Sequence, residues 1–140
     1  MIALRFVLDT NVVVSAALRP DGLQRSALNI AITRPASFYI SRPIFSEYKE
    51  VLARPRFRIP RGERHQLLQL IRRYGRLVKP NVAVQIAEDP TDDKFLECAE
   101  AARADYLVTG NVRHFPRFWK GTKVITAREL IEIVAPHRPL

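Results

Sequence analysis

The stretch FVLDTNVVV, residues 6–14, decides how the rest of the chain is organised. An apolar run that starts at Ile2 stops at Asp9, which is typical of a buried strand in a parallel sheet. A second apolar run, from residue 12 to about residue 18, predicts a helix directly after it. A carboxylate between such a strand and helix points into the crevice where open α/β sheets bind their ligands. The same carboxylate could instead only cap the helix.

Strand and helix patterns alternate along the whole chain. The predicted strands cover residues 2–8, 38–40, 106–109 and 124–125, with short extended pieces at 77–78 and 82–86. The predicted helices cover residues 12–18, 23–32, 41–52, 63–74, 89–102 and 126–134, and residues 112–120 are expected to be irregular. This alternation predicts an α/β fold with a parallel sheet and helices on both faces, in a single domain over residues 1–140.

Composition limits the class of protein. With 140 residues, of which 47% are hydrophobic and 26% charged, the chain is long enough for one globular domain with a true core. No apolar run approaches the length of a membrane span, and the N-terminus lacks the pattern of a signal peptide. A single cysteine cannot form an internal disulfide. We therefore expect a cytoplasmic protein without membrane association.

The net charge of +9 is unevenly distributed. Residues 54–79, here called the arginine segment, carry +8 and the rest of the chain +1. Its basic residues are Arg54, Arg56, Arg58, Arg61, Arg64, Arg72, Arg73, Arg76 and Lys79, against Glu63 alone. Because the planar guanidinium group suits phosphate, the arginine segment predicts an RNA-binding surface. The alternatives are a merely solvated surface, or pairing of Arg64 and Arg72 with acids on neighbouring helices.

Further polar residues could converge on the cleft at Asp9. Glu47 lies one turn into a helix that follows a strand, Asp92 and Asp93 begin a later helix, and Asn111 follows a strand end. Carboxylates that lie together repel one another unless a cation lies among them, and oxygen ligands select Mg²⁺ or Mn²⁺. Ions held in this way catalyse phosphodiester hydrolysis. Taken singly, each residue could instead be a solvated charge, a helix cap or a turn residue.

Four stretches resemble the PIN-domain ribonucleases, specifically VapC-type toxin components of bacterial and archaeal toxin–antitoxin pairs. They are FVLDTNVVVSAAL (6–18), SRPIFSEYKEVLARPRF (41–57), DPTDDKFLECAEAARADYLVTGNVRHF (89–115) and VITARELIEI (124–133), in the order of the family. The resemblance implies a PIN fold, a three-layer α/β/α sandwich around a central, mainly parallel twisted sheet. It also implies a Mg²⁺- or Mn²⁺-dependent endoribonuclease, an RNA substrate, a cognate antitoxin and a homodimer.

By position, the resemblance implies that Asp9, Glu47 and Asp92 are catalytic residues and metal ligands, with Asp93 as the alternative to Asp92. The fourth catalytic position, often aspartate in the family, is Asn111 here. Its lack of charge favours a single tightly bound metal ion, although its carbonyl can still bind a metal-bound water. The resemblance also implies that two polar residues support the site, namely Asn11 and Thr109.

Two other functions compete with a ribonuclease. The first is a PIN-fold module that binds RNA or an antitoxin without cleaving, for which Asn111 is the best support. The second is a phosphatase that uses Asp9 as a nucleophile. Such a phosphatase needs a second carboxylate two residues further on, where this chain has Asn11.

Overall fold

A computed structural model describes residues 3–87 and 89–135. Its strands are β1 (Arg5–Leu8), β2 (Ser37–Ile40), β3 (Gly75–Leu77), β4 (Tyr106–Val108), β5 (Phe118–Trp119) and β6 (Thr122–Ile125). Its α-helices are α1 (Thr10–Leu18), α2 (Leu23–Ala31), α3 (Arg42–Leu52), α4 (Arg61–Tyr74), α5 (Asp93–Ala102) and α6 (Ala127–Val134). Single 3₁₀ turns lie at Pro55–Phe57, Pro90–Asp92 and Val112–His114.

The six strands form one sheet in the order β3-β2-β1-β4-β6-β5. All neighbouring pairs are parallel except β5 and β6, which are antiparallel. Phe6 of β1 lies opposite Phe38 on one side and Tyr106 on the other, so β1 is central. Residues 6–8 are all buried although they alternate between the two faces of the sheet, which means that both faces are covered. The predicted three-layer α/β/α sandwich is confirmed.

Side-chain caps begin two of the helices, α3 and α6. Ser41 accepts a hydrogen bond from the backbone N–H of Ile44, at 3.4 Å, and begins α3. Thr126 and Glu129 form a capping box at the start of α6. Because these caps depend on local sequence, the predicted starts of both helices are confirmed. Within the part of the chain that the structure describes, no helix has the length and apolar character needed to cross a bilayer.

Two stretches differ in detail from the prediction. The extended piece predicted at residues 82–86 pairs with no strand of the sheet, because side chains accept hydrogen bonds from its backbone N–H groups. Val84 N–H donates to Glu97 Oε2 at 2.9 Å, and Ile86 N–H donates to Asp93 Oδ1 at 3.1 Å. Conversely, the stretch predicted to be irregular contains β5, which pairs with β6 across a tight turn at Lys120.

The strand β3 also begins earlier than predicted, directly after α4. Gly75 is the junction, because a Cβ atom there would lie only 2.6 Å from the carbonyl oxygen of Ile71. Glycine therefore allows the helix to continue directly into the edge strand. The predicted strand start at Ile2 lies outside the described residues, and β1 itself begins at Arg5.

Candidate active site

Asp9 lies at the carboxyl end of β1 and caps α1, and the end of the neighbouring strand β4 helps to hold it in place. Its Oδ1 atom accepts a hydrogen bond from the backbone N–H of Thr10, and its Oδ2 atom accepts one from Thr109 Oγ1, both at 2.7 Å. Its own N–H donates to the carbonyl of Val108 at 2.8 Å. The side chain is buried, with 6% of its surface exposed. Thr109 therefore orients the Asp9 carboxylate.

The negative charges of Asp92 and Glu47 act on the Asp9 carboxylate. Burial raises the pKa of Asp9 to about 6; the Thr109 hydrogen bond opposes this rise, and the charges of Asp92 and Glu47 add to it. The pKa of Asp92 is also raised, by partial burial first and then by Asp89 and Glu47. The three predicted ligand carboxylates therefore lie near enough to one another for their charges to interact.

Glu47 is directed towards Asp9 by contacts that sequence reasoning missed. The buried hydroxyl of Tyr48 donates to the carbonyl of Leu8, which ties α3 to the end of β1. Thr10 Oγ1 donates to Glu47 Oε2, and Lys94 Nζ lies 2.6 Å from Glu47 Oε1. Tyr48 lies on the buried side of α3. No local pattern predicts that Lys94 or Thr10 contacts Glu47.

Asp92 and Asp93 have different surroundings. Asp93 is buried, and its Oδ1 atom accepts backbone N–H groups from Ile86 at 3.1 Å and Ala87 at 2.7 Å. Its carboxylate therefore holds the preceding loop in place. By contrast, the negative charge of Glu47 is one of the causes that raise the pKa of Asp92. This geometry favours Asp92 as the site carboxylate and assigns Asp93 a structural contact.

The two asparagines line the edge of the cluster. Asn11 Oδ1 accepts the backbone N–H of Gly110 at 3.0 Å, which ties the start of α1 to the turn after β4. Asn111 donates its backbone N–H to Thr109 Oγ1 at 3.0 Å. Asn11 thus has the geometry of a supporting residue. Asn111 lies next to the cluster and adds no charge to it.

The donor set suits a hard cation, because every candidate ligand is a carboxylate oxygen. In the described conformation, however, no three Asp, Glu, His or Cys side chains among residues 3–87 and 89–135 lie close enough together to hold one ion. Glu47 is bound to Lys94 instead.

The arginine segment forms an exposed surface on α4 and its flanks, with only Arg64 half-buried among its basic residues. Arg54 pairs with Glu50 at 3.1 Å, and among the described residues it is the only member in an ion pair. The guanidinium of Arg72 lies 5.1 Å from the centre of the Phe45 ring. The alternative that Arg64 and Arg72 pair with neighbouring acids therefore finds no support in the described part of the chain.

Comparison with known proteins identifies the family. A sequence profile of the PIN domain matches residues 5–113. The chain belongs to the PIN domain family. The "uncharacterized protein MJ1680" of Methanocaldococcus jannaschii is 26% identical over 113 residues, which cover 79% of this chain and 72% of that protein. PIN domains are generally nucleases, so membership of this family supports a hydrolase.

A solved structure shares the PIN fold. It is the crystal structure of VapBC2 from Rickettsia felis bound to a DNA fragment from their promoter. The TM-score is 0.60 at 14% sequence identity, and the match covers 88% of this chain and 98% of that chain. At this identity the similarity shows the fold alone. It confirms the PIN fold that the four sequence stretches predict.

The raised pKa of Asp9 predicts a pH effect on stability. Folding raises this pKa from 3.8 to about 6, so the folded protein binds more protons between these values and loses stability as the pH rises. Between about pH 4 and pH 7, we expect wild type to lose roughly 2 kcal/mol relative to Asp9→Asn. Urea unfolding without divalent metal measures the difference. A difference that does not change with pH would contradict the raised pKa.

Proposed function

We propose that this PIN domain is a metal-dependent endoribonuclease and the toxin of a toxin–antitoxin pair. The observation that carries the proposal is the coupled cluster of Asp9, Glu47 and Asp92 at the carboxyl end of the central strand. Asp9 is buried and the other two carboxylates are half-buried. Acidic groups placed together at this edge of a parallel sheet are costly without a cation and lie where such sheets bind ligands.

In this proposal Asp9, Glu47 and Asp92 hold Mg²⁺ or Mn²⁺. A bound ion of this kind lowers the pKa of water and shields phosphate charge during attack on a phosphodiester. Thr109 and the backbone of Thr10 orient the Asp9 carboxylate, because each donates a hydrogen bond to a different oxygen of it. Asn111 fills the fourth family position without adding charge, so three carboxylates suit one tightly held ion.

The partners follow from the family resemblance. The likeness to VapC-type toxins in four sequence stretches supports a cognate antitoxin, and the shared fold with VapBC2 supports the same partner. A homodimer and a cytoplasmic location belong to the same proposal. An antitoxin gene next to the gene for this chain would be the simplest independent support.

The arginine segment is proposed to contact the RNA backbone, since its guanidinium groups are exposed and mostly outside the described ion pairs. We expect RNA affinity to fall with salt by a slope of roughly −0.7 per neutralised phosphate. Replacing Arg56, Arg58 and Arg61 with glutamine should reduce the slope by up to about 2, if each contacts one phosphate. Fluorescence anisotropy with labelled RNA in EDTA measures the slope while the RNA stays intact.

A matched control replaces three exposed arginines outside the segment, Arg19, Arg117 and Arg128, with glutamine. This variant has the same net charge as the first but should keep the wild-type slope. Equal slopes for all three proteins would mean that the arginine segment is merely solvated, or that it contacts the antitoxin or a second copy of this chain.

A cleavage assay tests the proposed activity. The protein is incubated with labelled RNA, and separately with a phosphate monoester, in Mg²⁺, Mn²⁺ or EDTA. We expect RNA cleavage with either metal, no cleavage in EDTA and no monoester hydrolysis. RNA that is bound but remains intact with both metals would support the non-catalytic module, whose specific support is Asn111. Monoester hydrolysis would support the phosphatase.

A further inference from the structure

We infer that Lys94 is the second cation of the carboxylate cluster and contacts the scissile phosphate of the RNA, in the place of a second metal ion. This inference rests on the proposed nuclease function. It adds a catalytic residue that neither the acidic pattern nor the family resemblance assigns.

The position of Lys94 is the first support. It lies in the first turn of α5, directly after the two aspartates, and its ammonium group crosses to Glu47 on α3. The distance from Nζ to Glu47 Oε1 is 2.6 Å, and only 19% of the Lys94 side chain and 23% of the Glu47 side chain are exposed. A charge this sheltered from water costs free energy to desolvate, so a surface role does not explain it.

The charge balance is the second support. Asp9, Glu47 and Asp92 supply three negative charges, and Asn111 supplies none. One divalent ion together with one ammonium group balances the charges of these three carboxylates, with the exposed Asp89 near Asp92 as a further negative charge. A second divalent ion would be repelled both by the first ion and by Lys94. The residues of this chain therefore suit one metal ion and one lysine.

The hydrogen-bonding capacity of Lys94 is the third support. An ammonium group has three N–H donors. One is directed to Glu47 Oε1 and another to the carbonyl of Thr91. Among the residues that the structure describes, no acceptor is recorded for the third donor. That donor can bind a non-bridging phosphate oxygen without giving up the contact that holds Glu47 in place.

A second lysine–glutamate pair provides a contrast. Lys120 Nζ lies 3.9 Å from Glu100 Oε1, and 60% of the Lys120 side chain is exposed. Glu100 lies six residues further along α5 than Lys94, well away from the acidic cluster. This pair is an ordinary surface contact of little consequence, and it therefore serves as a matched control.

The test compares Lys94→Met, Lys94→Arg and Lys120→Met with wild type in two measurements. Calorimetric titration with Mn²⁺ in the absence of RNA reports the metal site. We expect Lys94→Met to bind Mn²⁺ at least about tenfold more tightly, or to bind a second ion, because a competing positive charge is gone. Lys94→Arg and Lys120→Met should keep the wild-type isotherm.

RNA cleavage at saturating Mn²⁺ is the second measurement. We expect Lys94→Met to cleave about 100-fold or more slowly, the usual cost of losing one donor to transition-state charge. Lys94→Arg should retain most of the activity, and Lys120→Met all of it. Near-ultraviolet circular dichroism checks that each variant is folded.

Three results would overturn the inference. An unchanged Mn²⁺ isotherm for Lys94→Met would place Lys94 outside the field of the metal site. Tighter Mn²⁺ binding with full cleavage would mean that Lys94 only neutralises Glu47. Wild-type protein that leaves RNA intact would refute the proposed nuclease function and this inference together, whereas the first two results refute the inference alone.

Discussion

Asp9→Asn is expected to lower the rate of metal-dependent RNA cleavage by at least about a hundredfold, since even residues that only support a metal ligand contribute about 10- to 100-fold. Asparagine keeps the shape of the side chain and can still accept the Thr10 N–H hydrogen bond, so the cap of α1 survives. The change removes one of three negative charges from the cluster. A gel assay with labelled RNA, Mg²⁺ and wild-type protein in parallel measures the loss.

The matched control for this prediction is Asp105→Asn. Asp105 lies just before β4, at the opposite end of the sheet from Asp9, and its carboxylate accepts the backbone N–H of Arg5 at 2.8 Å. It therefore resembles Asp9 in chemistry but lies away from the cluster, and its asparagine variant should cleave at the wild-type rate. A folded Asp9→Asn protein with wild-type cleavage would show that the proposed site is wrong.

Replacing the two adjacent aspartates with alanine, one at a time, is expected to affect two different properties, stability and cleavage. Asp93→Ala leaves the N–H groups of Ile86 and Ala87 without their acceptor, so we expect a loss of about 2–4 kcal/mol in the free energy of unfolding. Asp92→Ala removes a carboxylate that is disfavoured by its acidic neighbours. It should change stability by less than about 1 kcal/mol and lower cleavage by at least about a hundredfold.

Urea unfolding and the cleavage assay together separate the two variants. Each is a one-residue change of the same chemistry at neighbouring positions, so each is the control for the other. An Asp93→Ala protein with wild-type stability and no activity would make Asp93 the ligand. In that case the correspondence with the family would be shifted by one residue.

Where the determinants are local, the sequence predicts the structure well. Asp9 at the end of an apolar run, and Ser41 and Thr126 before helical patterns, each cap a helix in the structure. Runs of apolar residues with turn residues between them predict the parallel sheet in the same way. The carboxyl end of β1 could therefore be identified as the candidate site from sequence alone.

Where the determinants are distant in sequence, prediction fails. The backbone of residues 82–86 resembles a strand in sequence, but hydrogen bonds to Glu97 and Asp93 hold it as a loop. The contact between Lys94 and Glu47 joins residues 47 positions apart and depends on how α3 and α5 pack. No spacing rule predicts such a contact, and the distinction between Asp92 and Asp93 likewise depends on the direction of each side chain.

Asp9, Glu47 and Asp92 are proposed to form the metal site of a nuclease. The most direct test is a crystal structure of the protein grown with Mn²⁺, with diffraction data collected at the manganese absorption edge. We predict one strong anomalous peak bonded to carboxylate oxygens of these three residues. A peak elsewhere, or no peak at these carboxylates in protein that binds Mn²⁺ in solution, would contradict the claim.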